Sequence, residues 1–447
     1  MSNYASYKPG TFTIDISNFE KAPQLFHERD MAAFIHEYCH YIQDITTISS
    51  IFGFSLWFRD LVNLINIISI AENNRIVIPL QRDIHGERIN KFRSYYSLYC
   101  GDSNVVLEID YNKNKFIKII SEVKEIKLDG NIQLLGINSI ELSGLTDKFY
   151  FGLIVLQEIN AFYSQQIAEN NLVKFPPKVA AESLPSYPYK FGDFLFESFK
   201  INIDLETKFI LTGLCLDTVQ APTVFLKVLE ELNGGTFSMT DIHYLEIVIE
   251  KCRASCSYSN EDALENILPD LQIWANSYGR DELTASLKWY ILKVGVAMEF
   301  KRHHSSLFFL KSLSKGWAEI AALFHIFPPP VYIDSGILSG NASYLGNADL
   351  SAYLKAEFDA ASTFWAHKIL FDLLCSKNLK EIDQRSECPL FEGCEIRKEN
   401  DQEYSYTCKR SPWEIVKGKI NALCIYGIAA HSMGLWQNDL EINTDGE

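Results

Sequence analysis

Between residues 28 and 47 the chain carries Met31, Phe34, Ile35, Tyr38, Ile42 and Ile45 at three- and four-residue spacing, an apolar stripe that predicts an amphipathic helix. His36, Glu37, His40, Gln43 and Asp44 fall on the opposite stripe. Before this helix, residues 11–17 alternate in the manner of a strand, and after it a second helix is predicted over about residues 54–72. The pattern changes between residues 75 and 142. There, β-branched runs at 105–111, 115–123 and 132–137 are separated by Asn, Gly and Asp turns, which predicts a small antiparallel sheet. Helical periodicity returns over about 147–170 and stops at Pro176 and Pro177, which cannot continue it. Beyond a Pro-bearing stretch that ends near Tyr189, most of the chain to about Lys380 is helical in pattern. It is interrupted by Pro328, Pro329 and Pro330 and by a Gly/Ser/Asn-rich loop to about Asn347. A Cys-bearing segment at 388–408 precedes an apolar helix over about 412–436, and the polar tail after Asn438 is expected to fray.

These elements predict an α+β chain: a catalytic-type unit with a small antiparallel sheet over residues 1–175, a mainly α-helical region over 176–380, and a Cys-bearing segment with a terminal helix over 381–447. The length of 447 residues agrees with more than one packed unit.

Composition narrows the function. Hydrophobic residues at 47% and charged residues at 22% are those of a folding globular chain. A net charge of −16 disfavours nucleic acid as a partner, because that affinity comes largely from Lys and Arg displacing counterions. The first residues lack the charged start and apolar run of a secretory signal. Of two apolar stretches, 51–71 carries Arg59 and Asp60 at its middle and 420–436 is short for a span, so both are expected to be buried helices rather than membrane segments. Ten cysteines without framework spacing suggest reduced thiols and a cytoplasmic compartment.

The chemistry concentrates in the first helix. His36-Glu37-Tyr38-Cys39-His40 has the H-E-x-x-H spacing, which sets two imidazoles one turn apart on one face, where they can grip one ion. Hydrolytic zinc takes three protein ligands and keeps a fourth position for water, and a neighbouring Glu deprotonates that water. Glu37 is placed for this role as general base. A third ligand is expected from Glu158, the only formally charged residue between Lys148 and Glu169. Its helical neighbours Ile154, Val155, Ala161 and Phe162 are apolar, so its carboxylate needs a cation or a metal. The bland alternative for Glu158 is an ion pair with a distant Lys or Arg.

His36, Glu37, His40 and the Glu158-Ile159-Asn160-Ala161 run resemble the gluzincin type of zincin metallopeptidase, in which a Glu on a later helix, often within E-x-x-A, completes the metal site. His40-Tyr41-Ile42-Gln43 is similar to the H-x-x-Q continuation of several such families. The resemblance covers residues 1 to about 175 and implies a zincin-like fold, bound Zn2+ and a peptide or protein substrate laid along an edge strand. Glu158 follows His40 by 118 residues, a long gap for this type. Glu319, in another E-x-x-A run, is therefore the substitute ligand. An oxyanion-stabilising His, Tyr or Arg is expected as well, with His303, His304 and His325 as candidates.

Cys388, Cys394 and Cys408 could form a second metal site with Cys375, Cys424 or His431, although free thiols fit their spacing equally well. Cys252 and Cys256 read as packing residues. The function expected is zinc-dependent peptide-bond hydrolysis. The competing reading is a regulatory or effector protein with a structural or degenerate zinc site, which four protein ligands instead of three would distinguish.

Overall fold

A computed structural model describes residues 6–8, 12–16, 31–69, 75–78, 80, 96–101, 116–128, 131–143, 149–173, 180–256, 260–277, 281–305, 307–328, 331–334, 337–340, 348–375, 425–435 and 439–442. The described chain is mostly helical with a small antiparallel three-stranded sheet, an α+β arrangement.

The strands are β1 (Ser6–Lys8), β2 (Thr13–Ile16), β3 (Arg75–Ile78), β4 (Phe116–Leu128), β5 (Asn131–Leu142), β6 (Phe149–Phe151), β7 (Asn202–Ile203), β8 (Thr236–Phe237), β9 (Val331–Asp334), β10 (Ile337–Gly340) and β11 (Asp439–Ile442). In its first half the chain forms helices α1 (Met31–Thr46), α2 (Ile48–Ser69), α3 (Leu153–Asn171), α4 (Phe191–Ser198), α5 (Leu205–Leu216) and α6 (Ala221–Glu231). The later helices are α7 (Ile242–Ala254), α8 (Asn260–Ser277), α9 (Asp281–His304), α10 (Phe308–Lys315), α11 (Trp317–Ile326), α12 (Ala348–Leu374) and α13 (Ile425–Ser432).

Helix α1 is the axis of the fold. It packs against α3, α2 and α9, and all sixteen of its residues are buried, including the polar stripe that could have faced water. Helix α3 is held in turn by α5. One apolar core, running from Tyr7 to Leu435, joins these helices. Helix α2 starts at Ile48, earlier than its apolar pattern predicts. The Thr47, Ser49 and Ser50 hydroxyls bond inward, Thr47 to the Gln43 carbonyl, Ser49 to the Leu216 carbonyl and Ser50 to Thr47. By length and composition α2 is apolar enough to cross a membrane, and 83% of its most apolar window is buried inside the fold.

The sheet built from β4, β5 and β6 is antiparallel throughout. The β4–β5 hairpin matches the predicted runs at 115–123 and 132–137 but extends further, while the run at 105–111 lies outside the described residues. Strand β6 corrects the start of the next helix: Phe149–Phe151 pair with β5, and α3 begins only at Leu153. Gly152 makes this turn possible, since a Cβ there would lie 2.3 Å from the Gly101 backbone nitrogen.

Strand β2 pairs antiparallel with β1 and parallel with β9, and β10 closes the other side, giving the order β1-β2-β9-β10. Residues 331–340, expected as loop, therefore supply two strands beside the N-terminal segment. The tail after Asn438 is likewise not frayed throughout, because Asp439–Ile442 pair in parallel with β3. Backbone pairing stabilises both segments despite their weak apolar patterning.

Candidate metal centre

One turn of α1 brings the His36 and His40 rings to a centroid distance of 5.0 Å at 73°. Helix α3, docked across them, delivers Glu158. Its Oε2 lies 3.2 Å from His36 Nε2 and 3.3 Å from His40 Nε2, and the three ligand atoms all fall within 4.8 Å of one another. For ligands about 2.1 Å from a tetrahedral zinc, the ligand-to-ligand edge is about 3.4 Å. Both nitrogen–oxygen separations therefore suit a shared ion, and the donor set of two imidazoles and a carboxylate fits zinc chemistry. The His36 and His40 side chains are 5% and 7% exposed, while that of Glu158 retains 21%. The open side of the cluster is thus at the carboxylate.

Comparison of the chain with profiles of known protein families, with curated proteins and with solved structures finds no match. The chemistry of the site has to be read from its own residues.

Burial works against a charged Glu158, but the His40 and His36 groups outweigh it and hold the carboxyl well below the usual carboxylate range. Burial likewise opposes a proton on His40, and Glu158 and Glu37 overcome it, raising His40 to about 9. Glu37, 8% exposed, is pushed up by desolvation, partly offset by the two histidines and by a hydrogen bond from the Tyr7 backbone N–H. A carboxyl raised in this way is a better proton acceptor than a solvated one.

Two tyrosines complete the surroundings. The Tyr7 ring stacks on His40 at 6.0 Å and 15°, and its hydroxyl donates to Asp44 Oδ2 at 2.8 Å. The Tyr189 ring lies 5.6 Å from that of His36, and the Glu158 charge followed by burial pushes its phenol upward, so it stays protonated and able to donate. Neither was singled out in the sequence. Tyr189 sits in the Pro-bearing stretch read as a boundary, and Tyr7 in a three-residue strand whose neighbours carry no periodic signal.

The fold brings together His36, Glu37, His40 and Glu158 and leaves the other candidates elsewhere. Glu319 is exposed on α11, 4.0 Å from Lys315, and is not part of the cluster. The lone-carboxylate pattern misled there because α11 turns that face to solvent. His303, His304 and His325 are exposed, with His303 bonded to Glu299 and His304 stacked on Phe300, and none belongs to the cluster of His36, His40 and Glu158. Cys388, Cys394, Cys408 and Cys424 lie outside the described residues, Cys375 is buried and His431 is exposed. Cys252 is buried as a packing residue would be, and Cys256 is partly exposed just beyond the end of α7.

Proposed function

We propose that this chain is a zinc-dependent peptidase in which His36, His40 and Glu158 hold the metal and Glu37 is the general base. The observation that carries the reading is the meeting of Glu158 Oε2 with both Nε2 atoms, at 3.2 and 3.3 Å, from a helix 118 residues beyond His40. A zinc ion held there would supply Lewis acidity at a fourth position, making a water nucleophilic near neutral pH and polarising a carbonyl. Glu37 accepts the proton of the attacking water on its carboxylate and delivers it to the departing amine. Tyr189 donates its phenolic proton in a hydrogen bond to the developing oxyanion. Three protein ligands among the described residues favour this over a purely structural site, which usually has four.

A peptide substrate is supported by β1. Among the described residues this strand ends the order β1-β2-β9-β10, and its Tyr7 N–H bonds to Glu37, so the outer edge of the sheet lies beside the site. An extended peptide adding to that edge would place a backbone carbonyl near the metal ligands. A zincin-like arrangement of α1, α3 and the β1 edge belongs to the same proposal.

The test is Glu37→Gln, which keeps the side-chain shape but cannot take the proton. The variant is expected to retain zinc in elemental analysis and to lose hydrolysis by about 100-fold or more, with substrates sought by comparing proteomes exposed to wild type and variant. Cleavage of the same targets at the wild-type rate would overturn the mechanism.

A further inference from the structure

The second nitrogen of His40 starts a chain of hydrogen bonds that leaves the metal site and ends on the backbone of α5. His40 Nδ1 lies 3.1 Å from Gln43 Oε1, Gln43 Nε2 donates to Asn160 Oδ1 at 2.8 Å, and Asn160 Nδ2 donates to the Phe209 carbonyl at 2.7 Å and to Thr212 Oγ1 at 2.8 Å. All four side chains are buried.

The far end fixes the direction of every link. A carbonyl oxygen can only accept, so the Asn160 amide must turn its nitrogen to Phe209. Thr212 agrees, since its one hydroxyl hydrogen has the Lys208 and Phe209 carbonyls as acceptors at 2.9 and 3.0 Å, which leaves its oxygen to accept from Asn160. Asn160 Oδ1 must then face Gln43, which has to meet it with Nε2. A second carbonyl, that of Gln157 at 3.4 Å from Gln43 Nε2, imposes the same orientation. The only Gln43 atom left for His40 is the acceptor Oε1, so His40 Nδ1 must carry hydrogen, and Nε2, beside Glu158, is the nitrogen turned to the metal site. His36 has no such support: its Nδ1 is buried without a hydrogen-bond partner among the described residues.

We propose that Gln43 and Asn160 form an amide relay that transmits the acceptor character of the Phe209 carbonyl to His40, fixing its Nδ1–H form and aiming Nε2 at the metal. Both are positioning residues, since neither touches the ion or the reacting atoms. The inference rests on the metal reading above and deepens it. It makes α5, which contributes no ligand, part of the metal site. It also gives the Q of the H-x-x-Q run and the N of the E-x-N-A run one shared task.

The relay can be broken at a distance from His40. In full-length zinc-loaded protein labelled with 15N-histidine, His40 Nδ1–H is expected as a slowly exchanging NMR signal. In Asn160→Leu the Gln43 amide keeps only the longer 3.4 Å contact to the Gln157 carbonyl and loses the 2.8 Å bond that holds it, so that signal should exchange faster with water although residue 160 does not touch His40. Zinc affinity, measured by competition with a chelator, should fall about 10- to 100-fold, the usual effect of losing an outer partner. Placing Gln43→Glu in the Asn160→Leu background should restore both, because a carboxylate accepts from Nδ1–H in either orientation. Should Asn160→Leu not fold, Gln43→Met removes the amide at similar volume and is expected to show the same two losses. Wild-type exchange and affinity in either folded variant would overturn the relay. A wild type that takes up no zinc would overturn the metal reading itself and the relay with it.

Discussion

Glu158 Oε2 stands 3.2 Å from His36 Nε2 across 122 residues of chain. The contact exists because α3 crosses α1, with Gln157, one residue earlier, donating to Ser50 at 2.9 Å and Asn160, two residues later, engaged with Gln43. The polar residues on both sides of Glu158 therefore lock the register in which its carboxylate reaches the histidines.

Removing that carboxylate should expose whether it binds metal. Glu158→Ala is expected to weaken zinc binding by more than about 100-fold, because outer-shell partners alone are worth about 10- to 100-fold and a direct ligand contributes more. Glu319→Ala, which alters an exposed residue beside Lys315, should leave affinity unchanged. Chelator titration of both variants checks this. A Glu158→Ala protein that folds and holds zinc as wild type does would remove Glu158 from the ligand set.

Tyr189 gives a prediction about rate and not about metal. Its phenol remains a donor because the nearby Glu158 charge and burial disfavour its ionisation. Tyr189→Phe should keep the ring contact with His36 and the zinc content while lowering kcat by about 100-fold, the scale of losing one oxyanion donor. A loss confined to KM would make Tyr189 a substrate-binding residue instead.

The cluster of His36, His40 and Glu158 was legible in the sequence because each member broke a local rule. Two histidines at helical spacing shared one face, and Glu158 was the only formally charged residue on an otherwise uncharged stretch of helix. The antiparallel sheet was legible from β-branched runs for a similar reason, since period-two patterning is local. What could not be read is non-local or depends on main-chain atoms. Strands β9 and β11 owe their structure to parallel partners hundreds of residues away, β2 and β3, so their own patterns look like loop or tail. Tyr7 and Tyr189 reach the site only through tertiary packing. Gln43 and Asn160 were visible as motif letters, but the partner that orients them is a carbonyl on α5, and no side-chain pattern encodes a carbonyl. Glu319 shows the converse, an isolated charge on an apolar helix that packing left in solvent.

The last prediction concerns stability and the charge at the middle of α2. Asp60 is 5% exposed, and its Oδ1 has no hydrogen-bond partner among the described residues. Burial pushes its carboxyl up to about 7, with Arg59 opposing the rise. In the unfolded chain the same group titrates near 4. Between about pH 4 and 7 the unfolded state therefore gives up a proton that the folded state keeps, so stability falls as pH rises through that window and stays lower above it. At about 1.4 kcal/mol for each pH unit that separates the folded from the unfolded titration, the full cost is of the order of a few kcal/mol. Asparagine has nearly the same shape and does not titrate, so Asp60→Asn should melt with wild type near pH 4 and at increasingly higher temperature than wild type up to pH 8. Thermal melts in the presence of a chelator keep zinc-linked protonation out of the comparison. A Tm difference that is flat with pH, or that grows toward acid, would mean that Asp60 ionises readily inside the fold and that Arg59 stabilises its charge better than burial disfavours it.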